Sequence, residues 1–461
     1  MKIHNPATGA LIAEVGTDTS ATIRGKYQRA RAAQAAWAEL PVKKRLATIA
    51  AFRGRVASTH EALARALTDE VGKPIRQSRE EIAGLASRLD FFLKESPRTL
   101  RGETVLADLD NKLEERITRE PLGVVANVST WDFPYYVGSN VFVPALISGN
   151  AVLYKPSEYA TLTGLHIARL LHEAGVPEDV FVPVIGDGFA GATLLRQPVD
   201  GVFFTGSSAT GRKIAANAGR RMIRVQLELG GKDPVYVCDD IDVEAVAAEV
   251  AQGAFYNNGQ SSCAVERIYV AAPIHDAFVA AFVASVRALR IGDPRDESTD
   301  IGPLARRSQI GVLKRQVVEA RRLGGNVLIG GEPIDRRGNW FQPTVIANAD
   351  HRMSLMREES FGPVIGLARV LDDDEAIARM NDSPYGLTAG VYTRSEKRAK
   401  RILSRMRTGT VYWNCCDRVS PRLPWSGVGH SGLGLTLSTY GIQAFTRPKS
   451  WHLRSPQGLV A

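Results

Sequence analysis

The sequence predicts an α/β protein built on parallel sheets, with a helical region at its N-terminus. From residue 123 onward, short apolar runs bounded by Gly, Pro or Asn alternate with helical patterns. This alternation is typical of parallel strands that are buried between layers of helices. The first hundred residues are instead predicted to be mostly helical. A length of 461 residues is enough for two or three domains.

The N-terminal helical region consists of two stretches, each with an internal break. The first runs from Ala21 to Ala57 and is interrupted at Pro41, since proline cannot continue a helix. The second runs from Thr59 to Lys94 and is broken around Gly72–Pro74. The region is therefore predicted to be helical but discontinuous.

Two cycles of strand and helix follow, with a boundary near Gly230. The first cycle has predicted helices near Tyr136–Ser148, Thr161–Glu173 and Gly188–Gln197. In the second, Asp242 is a plausible N-cap for a helix whose apolar residues recur every three or four positions up to Phe255. The predicted strands are 123–128, 151–154, 180–185, 201–204 and 224–227 in the first cycle, and 267–271, 327–329, 364–370, 389–393 and 408–413 in the second.

Two segments fit neither cycle. Leu113–Arg119 and Ala444–Leu453 both show the rough alternation of an exposed strand. We expect them to pair outside the main body of the protein.

The composition excludes several classes of protein. The net charge is +9, but the basic residues are scattered, so we expect no nucleic-acid partner. No window approaches the roughly 18 apolar residues of a membrane span, and the N-terminus lacks the apolar stretch of a signal peptide. The four cysteines include the adjacent pair Cys415 and Cys416, a poor disulfide framework. A cytoplasmic protein with no membrane partner and no metal is therefore expected.

Several short motifs occur in order along nearly the whole chain. The most specific are LELGGKDP at Leu227–Pro234, NNGQSSC at Asn257–Cys263 and EESFGPV at Glu358–Val364. By these motifs the sequence resembles the aldehyde dehydrogenase superfamily, in its NAD-dependent, hydrolytic form. Further matches are NPATG at 5–9, WDFP at 131–134, KPSE at 155–158, FTGS at 204–207, PWSG at 424–427 and SGLG at 431–434.

The resemblance implies a fold and an assembly. It implies a Rossmann-type NAD-binding domain at residues 1–107 and 122–229, and an α/β catalytic domain at 230–440. A small oligomerisation β element would be formed by 108–121 and 441–461. In the family this element pairs with a neighbouring subunit, so a homodimer or homotetramer is expected.

The cofactor site is predicted at the turn after Phe204. Glycines let the backbone approach a pyrophosphate there, and the free N–H groups at a helix start favour its charge. The resemblance implies that Lys155 and Glu158 hold the adenosine ribose, and a Glu there favours NAD over NADP because it would repel a 2′-phosphate. It further implies that Glu359 binds the nicotinamide ribose and that Phe361 packs beside the nicotinamide. The complete set of expected cofactor residues is Val128, Trp131, Lys155, Glu158, Gly206, Ser207, Gly211, Leu229, Glu359 and Phe361.

The resemblance also implies the reaction. In the family a cysteine thiolate attacks the aldehyde, an asparagine amide stabilises the oxyanion, hydride leaves for the nicotinamide, and a glutamate activates water to hydrolyse the thioester. Glu228 matches the glutamate. Its presence argues against the branch of the family that forms acyl-CoA, which does not need this base.

The nucleophile position departs from the family pattern. Ser262 stands two places after Gln260, where the family has its cysteine, and Cys263 follows one residue later. A serine hydroxyl is far less acidic than a thiol, whose pKa is about 8.5. Three interpretations remain open: a Cys-to-Ser inactivated form of a working enzyme, a local shift of the loop that brings Cys263 into use, or a natural homologue with lost or repurposed chemistry.

A second departure concerns the oxyanion. Asp132 stands where the family has its asparagine. An ionised carboxylate would repel an oxyanion, so Asp132 could help only if burial kept it protonated. Thr436, in a stretch where many members have a glutamate, is a weaker departure.

The substrate is only weakly indicated. Aromatic and apolar residues are expected around the entrance, which favours an apolar or aromatic aldehyde over a charged one. Of these, Phe133 and Trp425 are the predicted substrate contacts; the others are Tyr135, Val137, Tyr256 and Trp413. The alternative to a dehydrogenase is a protein on the same scaffold that binds NAD without this chemistry, or that uses it for an altered reaction.

Overall fold

The computed structural model describes residues 1–108 and 112–455. Residues 109–111 and 456–461, which belong to the two predicted oligomerisation segments, lie outside the described residues. Over the described ranges, no helix combines the length and the apolar character needed to cross a membrane.

The N-terminal region is a group of helices that packs against the first sheet. The predicted interruptions at Pro41 and at Gly72–Pro74 are confirmed, since helices end or begin at both places. Apolar residues of these helices, such as Phe52 and Leu85, are buried in one core with residues of the first sheet. The four helices are Ser20–Glu39, Val42–Ser58, His60–Val71 and Ile75–Thr99.

The first sheet has six strands and contains a change of strand order. The strand Val124–Val128 is the first of this sheet in the sequence. The next two strands lie on one side of it, and the later strands lie on its other side. Ligands of open parallel sheets bind in the crevice at such a switch point, at the carboxyl ends of the strands. In spatial order the strands are Gly432–Leu433, Arg224–Leu229, Gly201–Gly206, Val124–Val128, Ala151–Lys155 and Phe181–Pro183.

Helices connect these strands, as predicted. They are Pro134–Ile147, Thr161–Glu173, Gly188–Leu194 and Ser208–Arg221. Only Gly432–Leu433 is antiparallel to its neighbour, and it pairs Gly432 with Glu228. A late segment of the chain is therefore brought to the end of the strand that carries the predicted base.

The second sheet has seven strands and is also mostly parallel. The predicted N-cap is confirmed, because the Asp242 carboxylate accepts a hydrogen bond from Ala245 N at 3.1 Å. In spatial order the strands are Asn326–Ile329, Thr344–Ala347, Val364–Val370, Arg267–Ala271, Pro234–Val237, Thr388–Tyr392 and Thr410–Trp413. The helices are Val243–Phe255, His275–Arg287, Arg307–Arg322, Asp373–Asn381 and Glu396–Leu403.

A third sheet stands apart from these two. The leftover segments form the strands Leu113–Pro121 and Thr446–Arg454, which pair antiparallel with each other. A third strand, Glu103–Asp108, was not predicted, and the expected domain boundary between 107 and 108 falls inside it. The other short elements are the strand pairs Lys2–His4 with Leu11–Glu14 and Tyr385–Gly386 with Val428–Gly429, the helix Ser438–Gln443, and the 3₁₀ helices Tyr256–Gly259, Ala272–Ile274 and Ser354–Met356.

Candidate active site

A cavity of about 370 Å³ lies where the first sheet meets the second α/β body. Glu228 enters it from the end of the strand Arg224–Leu229, and residues 261–263 enter it from the loop after Tyr256–Gly259. We call it the central cavity. Its lining consists of Glu80, Arg88, Phe133, Tyr136, Val137, Asn140, Glu228, Glu249, Gln252, Gly253, Tyr256, Ser261, Ser262, Cys263, Cys416, Asp417, Arg418, Val419 and Trp425.

Glu228 is a buried carboxyl whose pKa is raised by its surroundings. The Thr436 hydroxyl donates a hydrogen bond to its Oε1, and the Thr205 hydroxyl donates to its Oε2 at 3.4 Å. Burial raises the pKa of Glu228 to about 7, while the Thr436 hydrogen bond and the charge of Arg88 act in the opposite direction. A carboxyl with this pKa can take and release a proton near neutral pH, as a general base requires.

Ser262 lies in the same cavity as Glu228. The turn before it is sharp, because Asn257 and Asn258 adopt left-handed φ angles of 50° and 59°. The Asn257 side-chain amide donates to Gln260 O at 2.8 Å and thereby fixes the turn. Among the described residues, none forms a hydrogen bond with the Ser262 hydroxyl, so its oxygen has no base attached to it.

Cys263 also lines the cavity, but its thiol is hydrogen-bonded. Its Sγ donates to Asp417 Oδ1 at 3.0 Å and lies 3.5 Å from Ser261 Oγ. Burial, followed by the Asp417 carboxylate, raises the pKa of Cys263 well above its ordinary value. The thiolate is the nucleophilic form of cysteine, so this environment disfavours attack by Cys263.

Asp132 is buried close to the cavity. It is not among the described residues that line the cavity. Its Oδ1 accepts a hydrogen bond from the Thr130 hydroxyl at 2.6 Å. Burial raises the pKa of Asp132 above its ordinary value. That direction is the one required for a protonated carboxyl that could donate a hydrogen bond.

The predicted phosphate-binding turn joins a strand to a helix. The strand Gly201–Gly206 ends there, and the Ser207 hydroxyl caps the helix Ser208–Arg221 by accepting a hydrogen bond from Thr210 N at 3.4 Å. A Cβ on Gly211 would lie 2.6 Å from Leu229 Cδ2, so any larger residue would force the Leu229 side chain to move or the helix to shift away from the neighbouring strand. The helix start is therefore held at the crevice, where its free N–H groups suit a pyrophosphate.

The predicted ribose-binding residues lie beside this turn. Val128 and Lys155 are register partners at the carboxyl ends of adjacent strands. Lys155 is buried, its Nζ lies 3.6 Å from Glu158 Oε2, and the Glu158 side chain is 37% exposed. Burial lowers the pKa of Lys155. A half-exposed carboxylate next to a buried ammonium fits two ribose hydroxyls that enter from the solvent side.

The predicted nicotinamide-binding residues lie between the two sheets. Gly231 N donates to Glu359 Oε1 at 3.3 Å, and burial raises the pKa of Glu359 to about 8. The ring centroids of Trp131 and Phe361 are 5.4 Å apart in an edge-to-face contact. These residues therefore bring the two halves of the predicted cofactor site together.

The aromatic residues predicted at the entrance divide into two groups. Phe133 stacks on Tyr256, with centroids 6.4 Å apart, and both line the cavity together with Val137 and Trp425. Tyr135 is instead fully buried, because the helix that begins at Pro134 turns it toward the core. Trp413 is 41% exposed and its Nε1 donates to Thr393 O. The expectation that Tyr135 surrounds the entrance is therefore wrong, and Trp413 is not among the described residues that line the cavity.

Several residues of the site were not predicted from the sequence. Arg88 is buried in the cavity wall, and its Nη1 donates to Asn140 Oδ1. Asp417, which binds Cys263, was also missed. Arg88 shares one helical face with Gln77 and Glu81 on Ile75–Thr99, among the buried Ile82, Leu85 and Leu89. Polar residues at core positions of an amphipathic helix were the available signal.

Comparison with known proteins agrees with this geometry. The family model described as "Aldehyde dehydrogenase family" matches residues 1–451, and the chain belongs to this family. A betaine aldehyde dehydrogenase of Cereibacter sphaeroides is 35% identical over 447 residues, which cover 96% of this chain and 92% of the relative.

Two solved structures extend the comparison to the fold. The crystal structure of PnpE in complex with nicotinamide adenine dinucleotide has a TM-score of 0.96 and 32% identity, covering all of this chain and 95% of the other. An E. coli NADP-dependent enzyme has a TM-score of 0.94 and 30% identity, covering 98% and 94%. The protein is therefore an oxidoreductase of the aldehyde dehydrogenase type with a Rossmann-like fold.

Proposed function

We propose that this protein catalyses the NAD-dependent oxidation of an aldehyde to its carboxylate, with residue 262 as the nucleophile site and Glu228 as the base. The observation that carries this proposal is the cavity shared by Glu228, whose pKa is about 7, and Ser262. Family membership supports the reaction class.

When residue 262 is a cysteine, the residues of the site have the following roles in the reaction. The sulfur of residue 262 bonds to the aldehyde carbon and gives a thiohemiacetal, whose oxyanion we assign to the Asp132 position by the family resemblance. NAD, when bound, supplies the hydride acceptor. After oxidation the carbon is a thioester, and Glu228 takes a proton from a water molecule that attacks it. The C–S bond then breaks, the sulfur remains on residue 262 and is protonated to the thiol, and the carboxylate product dissociates. Glu228 releases its proton to solvent and is ionised again for the next cycle.

The cofactor preference rests on Glu158. The residues that would hold NAD fit the molecule, because the strand-to-helix turn at Gly206 and Ser207 lies within the same crevice as Lys155 and Glu158. A carboxylate at Glu158 accepts hydrogen bonds from ribose hydroxyls and repels a 2′-phosphate. We therefore assign NAD rather than NADP.

The substrate that we propose is an apolar or aromatic aldehyde. The stacked rings of Phe133 and Tyr256, with Val137, Val419 and Trp425, form an apolar wall of the cavity. Flat rings of this kind bind an aromatic or branched apolar group through its faces. A panel in which only dicarboxylic semialdehydes react would contradict this assignment.

The remaining assignments concern assembly and setting. We propose that the three-stranded sheet formed by Glu103–Asp108, Leu113–Pro121 and Thr446–Arg454 joins subunits into a homodimer or homotetramer. We also propose an NAD-binding domain at residues 1–107 and 122–229 and a catalytic domain at 230–440, with the active site at the junction to which both contribute residues. The four cysteines are free, which suits a reducing cytoplasm.

A second candidate is a homologue that binds NAD without oxidising aldehydes. It is favoured by the combination of Ser262 with the buried carboxyl of Asp132, since both differ from the groups that the chemistry uses. Under this candidate the cofactor residues are retained for binding alone. The first candidate instead regards the chain as a Cys-to-Ser inactivated form.

One experiment separates the two candidates. NADH formation is followed by its absorbance with a panel of aldehydes, for this chain and for Ser262→Cys in parallel, and NAD binding is measured by calorimetry. We expect turnover from the cysteine form alone. If both forms are silent while NAD still binds, the dehydrogenase proposal is refuted and the second candidate replaces it.

A further inference from the structure

Two buried lysine–glutamate pairs lie on opposite sides of the active site. Lys73 and Glu81 have side chains that are 0% exposed, and Lys232 and Glu266 are 0% and 6% exposed. In each pair the ammonium contacts the carboxylate directly. Pairs buried this deeply are often no more stabilising than apolar residues of the same size, because desolvation cancels the attraction.

The first pair holds the segment that contains Asp132 and Phe133. Glu81 Oε1 accepts hydrogen bonds from the consecutive N–H groups of Tyr135 and Tyr136, at 2.9 and 3.4 Å. Lys73 Nζ donates to Asp132 O at 2.7 Å and lies 3.7 Å from the centroid of the Phe133 ring. The pair therefore fixes both the oxyanion-side backbone and the aromatic wall.

The same segment is joined to the nucleophile loop. The Asn257 amide donates to Asp132 O at 3.3 Å, and Asn257 N donates to Gln77 Oε1 at 2.9 Å. Gln77 and Glu81 lie one turn apart on the helix Ile75–Thr99. One helix thus holds both loops that meet at residue 262.

The second pair holds the cofactor-side segment in the same way. Glu266 accepts hydrogen bonds from the consecutive N–H groups of Ser360 and Phe361, both at 2.9 Å, and Lys232 Nζ donates to Ser360 Oγ at 3.0 Å. Phe361 has a φ of 46°, a left-handed conformation that costs energy for a bulky side chain. The carboxylate holds this backbone in place.

We propose that these pairs are two separate positioning units: Lys73–Glu81 sets the aldehyde side of the site, and Lys232–Glu266 sets the nicotinamide side. The proposal rests on the proposed dehydrogenase function. Each unit is a carboxylate that accepts two consecutive N–H groups of an active-site segment, with a lysine that donates to an oxygen of the same segment. Because the units lie on different segments, their effects on the two ligands are separable.

Charge-free double variants test the proposal. Lys73→Met/Glu81→Gln and Lys232→Met/Glu266→Gln remove both charges and keep a side-chain carbonyl that can accept the N–H groups. NAD affinity is measured by calorimetry in the Ser262 chain. The kcat and the aldehyde KM are measured in the Ser262→Cys background, with benzaldehyde as the probe.

We expect opposite patterns from the two variants. The Lys232–Glu266 variant weakens NAD binding about tenfold, since cofactor orientation depends on its supporting groups. The Lys73–Glu81 variant leaves NAD affinity within about twofold but lowers kcat about 100-fold, the scale expected for a 1 Å displacement of a reacting group. A folded variant that retains both the NAD affinity and kcat, or that changes both by a similar factor, would overturn the proposal.

A matched pair away from the site provides the control. Asp373 Oδ1 accepts hydrogen bonds from the Tyr236 hydroxyl at 2.9 Å and from Arg398 Nη2 at 2.6 Å. Arg398 also contacts Asp239, which follows the carboxyl end of the strand Pro234–Val237, whereas Lys232 precedes its amino end. Arg398→Met/Asp373→Asn should change neither the NAD affinity nor kcat. If a charge-free variant fails to fold, Glu81→Asp and Glu266→Asp retract each carboxylate by one methylene while keeping its charge. We expect Glu266→Asp to weaken NAD binding and Glu81→Asp to lower kcat with little change in NAD affinity. If the two variants do not differ in this way, the proposal is overturned.

Failure of the proposed function gives a different pattern. If Ser262→Cys does not turn over, the dehydrogenase assignment fails, yet NAD affinity still reports on Lys232–Glu266. The aldehyde side is then measured by the rate at which iodoacetamide alkylates the thiol introduced at position 262, and by the protection of that thiol with benzaldehyde. Protection that is equal in the Lys73–Glu81 variant and its parent would overturn that half of the proposal.

Discussion

Under the proposed function, the hydroxyl of Thr436 sets the pH range in which Glu228 can act as a base. It donates a hydrogen bond to Glu228 Oε1 and so favours the ionised carboxylate against the effect of burial. Thr436→Val removes this hydroxyl with little change of shape. A hydrogen bond to a charged group contributes about 1.5 to 3 kcal/mol, and one pKa unit corresponds to about 1.4 kcal/mol. The pKa of Glu228, about 7 in the native protein, should therefore rise by about one to two units.

The assay is the pH dependence of kcat in the Ser262→Cys background. Glu228 is active as the carboxylate, so activity increases as pH rises through its pKa, and the variant should move this limb to higher pH. The rate at pH 7 should fall about five- to fiftyfold and recover above pH 9. Thr436→Ser keeps the hydroxyl and should retain the native profile. A limb that stays in place in Thr436→Val, with hydrolysis shown to be rate-limiting, would refute the role of this hydrogen bond.

Three further changes test the site. Asp132→Asn in the Ser262→Cys background should raise kcat by up to about 100-fold, most at high pH, because an amide donates a hydrogen bond at every pH whereas the Asp132 carboxyl donates only while it is protonated; steady-state kinetics with a decrease would contradict this. Phe133→Ala should raise the KM of benzaldehyde about tenfold relative to acetaldehyde, and equal changes for both aldehydes would exclude stacking. Asp417→Asn should lower the pKa of Cys263 and speed its alkylation between pH 8 and 10, as measured by mass spectrometry, whereas an unchanged rate would mean that burial alone suppresses the thiol.

Local sequence patterns were sufficient to predict most of the regular structure. The breaks at Pro41 and Gly72–Pro74 depend on the backbone preferences of proline and glycine, and the Asp242 N-cap depends on a contact three residues away. Such features are decided within one turn of chain. The strand Glu103–Asp108 was missed because it is exposed and pairs with the partly exposed strand Leu113–Pro121, so no buried apolar pattern marks it.

The site was predictable to the extent that its residues lie in motifs. Glu228, Ser262, Phe133 and Trp425 are neighbours in the cavity, as expected from their motifs. The motifs contained no information about which way each side chain turns. Tyr135, two residues after Phe133, is in the core because it lies on the opposite face of the helix that begins at Pro134.

The sequence by itself determined the fold class, the family and the residue types at the proposed base and nucleophile positions. Only the tertiary structure decided the pKa of the carboxyl groups in the site and the hydrogen bonds that hold the active-site segments in place. The pKa of Glu228 is about 7 because burial in the surrounding core raises it, while a hydrogen bond from Thr436, 208 residues away in the chain, opposes that rise. The N–H groups at Tyr135 and Phe361 are held by Glu81 and Glu266, from distant parts of the chain. Burial and long-range hydrogen bonding depend on the positions of all the elements together, so no local pattern encodes them.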